Sequence, residues 1–295
     1  MSTENPTTIL ALVGKGGVGK TSLSALTVKL LSEHYPDKKI LAIDADPAVG
    51  LSTALGVDVT STVDDIRKSF VQTVEDGNTK AAVELLGEAK YQMFDALVEI
   101  RDNVSFLAIG RPESAGCYCK VNAYLKEVIS MIADHFDYVV IDGEAGIEQV
   151  NRRVMEKVTH LVLVSDASKK GLQVVQTIHD VARELVMFDK AGLIVNRMPD
   201  MSLKDSLDTG SLDLLAVIPD DREMALSDMS GQSVFELPPE AAVHQGAVEA
   251  LTKLGILCGD IYEGSQTPVH PGTSPGRCRQ RTRSSGNRRR PQMHR

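Results

Sequence analysis

An α/β fold is the expectation for this chain: a mostly parallel sheet of about seven strands with helices on both faces. Three features carry it. Short apolar, β-branched runs recur along the 295 residues, each bounded by glycine, proline, aspartate or asparagine, as buried strands are. Helical patterns separate the runs, so strand and helix alternate. The first run, Ile9-Leu10-Ala11-Leu12-Val13, passes directly into the glycine-rich segment GKGGVGKTS, Gly14 to Ser22, the pattern of a strand turning into a helix.

The remaining strands are expected at Ile40 to Ile43, Val104 to Ile109, Tyr138 to Ile141, Leu161 to Val164, Leu193 to Val195 and Leu212 to Ile218. Helical spacing marks Leu23 to Glu33, Val121 to His135, Leu172 to Met187 and Ala241 to Leu254. Between Thr62 and Ile100 no strand signal occurs. That stretch predicts helices over Val63 to Val74 and Thr79 to Ile100, a 62–100 insertion forming a subdomain over the site, because an unstructured connection of that length is unusual. Right-handed crossovers place the loops at the strands' carboxyl ends along one edge, where ligands bind. One domain is expected over residues 1–262. The remainder, 263–295, is a tail with eight arginines and neither acid nor lysine from Gly264 onward. It holds too little apolar surface to offset its ordering entropy and should be disordered. Its abrupt composition fits a functional arm, a cloning scar or an out-of-frame end.

The net charge of −8 conceals that tail, without which the chain carries −16. An acidic body argues against broad nucleic-acid binding. No run of eighteen apolar residues occurs and the N-terminus lacks a basic and apolar signal, so a cytoplasmic protein without a membrane span is expected. The four cysteines then suggest metal ligands, redox groups or buried thiols rather than disulfides.

Gly14, four residues, then Gly19-Lys20-Thr21 is a phosphate cradle in which each part has a task. Gly14, Gly16, Gly17, Val18 and Gly19 let backbone N–H groups turn inward, Lys20 reaches the β- and γ-phosphates, and the Thr21 hydroxyl, followed by Ser22, meets Mg²⁺. Lys15 adds a second ammonium at the same place, tolerable when a triphosphate fills it; a solvated lysine at the loop's mouth is the alternative. Asp44-Ala45-Asp46-Pro47 ends the second strand, with both carboxylates on one side by strand alternation. They can serve metal and water, or cap the helix near Gly50. Asp142 follows its apolar run as a Mg²⁺-holding acid does, and the glycines after it also suit an ordinary turn. Asn196 closes a strand with an amide whose donor and acceptor match adenine N6 and N7. A guanine reader would need an aspartate where Pro199 stands. A helix cap is the other use of Asn196.

Cys117-Tyr118-Cys119 follows the third strand. Two thiols one residue apart are half of a soft-metal site, completed by the same pair from a two-fold partner, or else buried or incidental cysteines.

Gly-Lys-Gly-Gly-Val-Gly-Lys-Thr resembles the deviant Walker A sequence of the MinD/ParA class of dimeric P-loop ATPases, within the SIMIBI group. The resemblance implies that Lys15 crosses a nucleotide sandwich into the partner's site. It also implies that Asp46 orients the attacking water, that Asp44 supports the metal and the Lys20 neighbourhood, and that Arg197 and Pro219 complete the base pocket. With Gly-Cys-Tyr-Cys before a helix and Asp-Gly-Glu-Ala-Gly-Ile-Glu from Asp142, the chain is further similar to the CooC family from roughly Thr8 to Leu257. That likeness implies an ATP-hydrolysing homodimer that binds Ni²⁺ or Zn²⁺ at Cys117 and Cys119 and matures a nickel client such as carbon monoxide dehydrogenase or acetyl-CoA synthase. A partition or positioning ATPase would share the phosphate residues but leave the cysteines without a purpose. An iron-protein-like reductase would need a further cysteine after the second switch, where Ile147 to Arg152 has none.

Overall fold

The computed structural model describes residues 6–46, 50–75, 79–110, 119–143, 154 and 157–258, with the side chains of 74–86 and 119–122 outside that description. In chain order the elements are β1 Thr8–Gly14, α1 Lys20–His34, β2 Ile40–Asp44, α2 Gly50–Leu55, α3 Val63–Glu75, α4 Thr79–Asp95, β3 Val98–Arg101 and β4 Val104–Ala108. Then come α5 Cys119–Ala133, β5 Tyr138–Asp142, β6 His160–Ser165, α6 Lys169–Leu185, β7 Lys190–Met198, β8 Leu214–Pro219, α7 Arg222–Ser230 and α8 Ala242–Leu254.

The strands form one eight-stranded sheet in the order β3-β4-β2-β5-β1-β6-β7-β8. Pairing is parallel throughout except at β3–β4. Strand alternation feeds two cores. Leu10 and Leu12 of β1 pack with Leu23, Leu26 and Leu30 of α1 and with Ala247 and Leu251 of α8. Ala11 and Val13 face the opposite layer with Val128 and Ile132 of α5 and Val175 and Ala182 of α6. Burial on both faces is why these strands read as unbroken apolar runs rather than alternating ones.

The sheet has one strand more than the seven expected. Val98-Glu99-Ile100-Arg101 forms the antiparallel edge strand β3, so the helix expected to reach Ile100 stops at Asp95. The strand is four residues long and alternates half-buried with exposed positions, a signal too short to separate from the tail of a helical pattern. Helices α3 and α4 pack on each other and on α5. Val63, Ile66, Phe70, Ala89 and Met93 share one apolar core with Val128 and Ile132, so this insertion is part of the layer on that face of the sheet. Helix α7 was not among the helices expected; Asp221 starts it by accepting from the Met224 N–H at 3.0 Å, and Gly231, at φ 67°, ends it.

By its contacts the chain divides into Met1–Leu257 and Cys258–Arg295. The arginine tail lies outside the described residues.

Candidate nucleotide-binding active site

Strand β1 sits between β5 and β6, and its carboxyl end delivers the glycine-rich loop onto the edge where β2, β5 and β7 also end. Two glycines are obligatory for steric reasons. Gly14 has φ 153°, and a Cβ there would be driven into the Val164 carbonyl of β6. Gly19, the first turn's cap, has φ 89°, and a Cβ there would lie 2.6 Å from Asn196 Nδ2. Gly17 also has positive φ, 77°, whereas Gly16 has open space around it.

Lys20 opens α1 and is buried, its ammonium donating to the Lys15 carbonyl across the loop at 3.1 Å. That places a cation over the cradle's centre. Lys15 instead turns aside, pairing with Asp166 Oδ2 at 2.8 Å. Asp166 lies just beyond β6, and its other oxygen accepts from the Ser168 N–H at 3.1 Å and from the Ser168 hydroxyl. Burial pushes the Asp166 carboxyl up, but Lys15 and Ser168 outweigh it and hold the group below its ordinary range.

Asp44 and Asp142 are paired across β2 and β5 in the same register step and are both buried. Burial, then the Asp142 charge, pushes Asp44 up to about 7, against the N–H groups of Leu51 and Asp46. Asp44 Oδ2 accepts from Leu51 N at 2.9 Å and Oδ1 from Asp46 N at 3.1 Å. It therefore caps α2 while standing opposite Asp142 in the sheet, so the capping use read from the sequence is the one its hydrogen bonds serve. Asp46 itself is half-buried beyond the strand's end. Burial also pushes Asp142 up to about 6, opposed by hydrogen bonds from Thr21 and Ser24 and by the Lys20 charge. Ser24 Oγ donates to Asp142 Oδ1 at 2.9 Å, while Oδ2 is buried with no hydrogen-bond partner.

This set fits Mg²⁺. An orphaned carboxylate oxygen beside a second crowded carboxylate and the Thr21 hydroxyl is a hard, oxygen-rich donor set short of positive charge.

Beside the loop, a cavity of about 600 Å³ is lined by Gly19, Ser22, Asn196, Arg197, Pro219, Asp221, Met224, Asp228 and Met229 among others, a volume ordinary for a nucleotide-sized ligand. Asn196 is buried and donates Nδ2 to the Val18 carbonyl at 2.8 Å, so part of its hydrogen-bonding capacity is spent on the loop. Arg197 Nη1 donates to the Gly17 carbonyl at 3.0 Å.

The structure thus gathers Gly14, Gly16, Gly17, Val18, Gly19, Lys20, Thr21, Ser22, Asp44, Asp46, Asp142, Asn196, Arg197 and Pro219 along one edge. Cys117 lies outside the described residues, and Cys119 is described only as the first backbone position of α5. Among the described residues no group of three or more His, Cys, Asp or Glu is arranged to hold a metal ion. No described helix is long and apolar enough to cross a membrane. Sequence reasoning missed Asp166, Ser24 and Asp228. Ser24 carried a legible signal, one helical turn after Lys20 on the same face. Asp166 carried none, since only the neighbouring of β1 and β6 brings it to Lys15.

Over residues 7–188 the sequence matches the AAA domain family. An uncharacterized ATP-binding protein of Methanocaldococcus jannaschii is 36% identical over 251 residues, 83% of this chain and 98% of that protein. The carbon monoxide dehydrogenase accessory protein CooC of Rhodospirillum rubrum is 27% identical over 239 residues, covering 78% of this chain and 90% of its own. Among solved structures, the septum site-determining protein MinD complexed with Mg-ADP from Pyrococcus horikoshii superposes with a TM-score of 0.61 at 25% identity, over 84% of this chain and 96% of that one. With its loop, paired carboxylates and base-sized cavity on one sheet edge, the chain belongs to the AAA domain family and is a P-loop ATPase of the MinD/ParA class.

Proposed function

We propose that this ATPase is a metal-delivery factor: it hydrolyses ATP as a homodimer and hands nickel to a client enzyme such as carbon monoxide dehydrogenase or acetyl-CoA synthase. The observation that carries the reading is the Cys117-Tyr118-Cys119 pair and its attachment to the sheet. Strand β4 ends at Ala108, in register with Asp44, and α5 begins at Cys119, so in sequence the pair falls between a strand that ends on the phosphate edge and the helix that follows it. The 27% likeness to CooC supports the same reading.

In this mechanism the loop N–H groups and Lys20 hold the phosphates. The Asn196 amide, Arg197 and Pro219 border the adenine. Thr21 and Asp142 would hold Mg²⁺, with Asp44 behind them. When bound, that ion neutralises charge on the transferred phosphoryl group, which needs alignment and charge compensation more than covalent help. Asp46 accepts a hydrogen bond from the attacking water and aligns it. Lys15 leaves Asp166 and reaches the partner's nucleotide, closing the dimer and bringing two Cys pairs together as four thiolates for Ni²⁺ or Zn²⁺. Hydrolysis then opens the site.

Metal content of the purified protein, measured by mass spectrometry with and without a non-cleavable ATP analogue, tests this. About one ion per dimer is expected in the ATP-analogue state, lost in Cys117→Ala or Cys119→Ala while ATP affinity is kept. A protein that dimerises on ATP yet captures no soft metal in any state refutes nickel delivery. A positioning ATPase, favoured by the likeness to MinD, is then the reading that stands.

A further inference from the structure

We propose that Arg197 is a positioning residue for the phosphate cradle, one that clamps the Gly17 carbonyl and so aims the loop's N–H groups. The starting point is an irregularity in the sheet. Strand β7 pairs with β8 at Val195↔Val217 and next at Met198↔Pro219, so β7 spends one residue more than its neighbour over this step. That is a β-bulge. Inside it Arg197 has φ 56°, and it is the non-glycine residue with positive φ among the described residues. Such a backbone persists only where its surroundings over-determine it.

The bulge has a visible consequence. In a regular strand successive side chains point to opposite faces, yet here two neighbours reach the same loop. Asn196 Nδ2 donates to the Val18 carbonyl at 2.8 Å and Arg197 Nη1 donates to the Gly17 carbonyl at 3.0 Å. Bulges beside active sites re-aim side chains in this way.

Peptide planarity turns these two bonds into a statement about the phosphates. In a trans peptide the C=O and the following N–H point in opposite directions. Holding the Gly17 oxygen outward holds the Val18 N–H inward, and holding the Val18 oxygen does the same for the Gly19 N–H. Arg197 is exposed and lines the base cavity. Through its charge it also opposes the rise that burial imposes on the Asp228 carboxyl of α7. The guanidinium therefore links the cavity's wall to the loop's geometry through the Gly17 carbonyl.

This rests on the reading that the loop binds the phosphates of ATP, and the test separates the two. Arg197→Gly removes the guanidinium while leaving a residue that adopts positive φ freely. Arg197→Lys keeps a charge but loses the planar fork. Binding of MgATP and of inorganic tripolyphosphate with Mg²⁺, which has no base or ribose, is measured by calorimetry on the full chain, beside the melting temperature of the free protein. In Arg197→Gly tripolyphosphate should weaken about tenfold, as for one charge-assisted bond, and ATP by at least that factor because the side chain also borders the base, with no fall in melting temperature. Arg197→Lys should lie between this variant and wild type. If ATP weakens and tripolyphosphate does not, Arg197 is only part of the base wall and the clamp is overturned. Unchanged affinity for both ligands overturns it equally. Wild-type protein that binds neither ligand refutes the nucleotide reading itself, and the clamp with it.

Discussion

Replacing Asp44 by asparagine asks whether the two cross-strand carboxylates strain the nucleotide-free protein electrostatically. A free aspartate titrates near ~3.9, whereas burial and the Asp142 charge push Asp44 up to about 7. A carboxyl that holds its proton more tightly when folded makes folding less favourable as pH rises, because the native chain keeps a proton that the unfolded chain has released. The contribution of Asp44 is thus at its best below about pH 4, declines from there to about 7, and stays at its lowest above. A gap of about three pH units at about 1.36 kcal/mol each caps the penalty at ~4 kcal/mol. Sharing the proton with Asp142 leaves about 2–3 kcal/mol to recover. Asparagine imitates the protonated acid, so it relieves the penalty only where the wild type is ionised. Roughly two-thirds of that recovery falls between about pH 5 and about pH 8, so in thermal unfolding without Mg²⁺ or nucleotide Asp44→Asn should gain on wild type by about 3–8 °C over this window, at about 2–4 °C per kcal/mol for a domain of this size. Titrating groups that are not coupled to Asp44 cancel in that difference. A variant-minus-wild-type melting difference that is equal at the two pH values would refute the reasoning.

Lys20→Ala should abolish nucleotide binding, whereas Lys15→Ala should keep binding and lose dimer-coupled hydrolysis; equal defects in a binding and turnover assay would contradict the sandwich. Asp166→Asn frees Lys15 from a pair whose side chains are 36% and 32% exposed. Such a pair is worth about 0.2–1 kcal/mol per protomer. Releasing two should tighten ATP-dependent dimerisation about 2- to 30-fold, measured by sedimentation at low salt; weaker dimerisation would mean that Asp166 is needed in the assembled state. Gly14→Ala should cost about 1–3 kcal/mol through its collision with the Val164 carbonyl, while Gly16→Ala should stay within about 0.5 kcal/mol; comparable denaturation midpoints would show that the loop is not held against β6.

The phosphate edge was legible because its signals are local. A glycine-rich loop between an apolar run and a helix needs no knowledge of the rest of the chain. Asp142 stands at the end of its run for the same reason. What was not legible depends on which strands are neighbours. Asp166, read along the chain, is only an acid two residues before the serine that caps α6. It meets Lys15, 151 residues away, because β6 lies against β1. Likewise β3 exists because β4 offers a free edge to four residues whose own preference is weak. Asn196 announced itself as an amide at a strand end, but its bond to Val18 follows from the bulge in β7, and a bulge is a property of two strands in register.

The same distinction bears on Asp44. As a sequence it was readable either as a metal-supporting acid or as a helix cap, and the two looked exclusive. In the sheet order β4-β2-β5-β1 the cap and the position opposite Asp142 belong to the same side chain, so the two readings do not exclude each other. The strand pairing puts Asp44 opposite Asp142, so it experiences whatever charge arrives there. Its oxygens meanwhile accept from Asp46 N and Leu51 N, one on either side of the residues that follow β2. An ionised acceptor binds such N–H groups roughly twice as strongly as a neutral one. Any cation that favours ionisation of this carboxylate pair therefore tightens the hold on Asp46, the residue assigned to the attacking water. On the proposed roles, charge arriving at the end of β5 and the hold on the Asp46 and Leu51 N–H groups are coupled through a single buried side chain, and no remote relay is required.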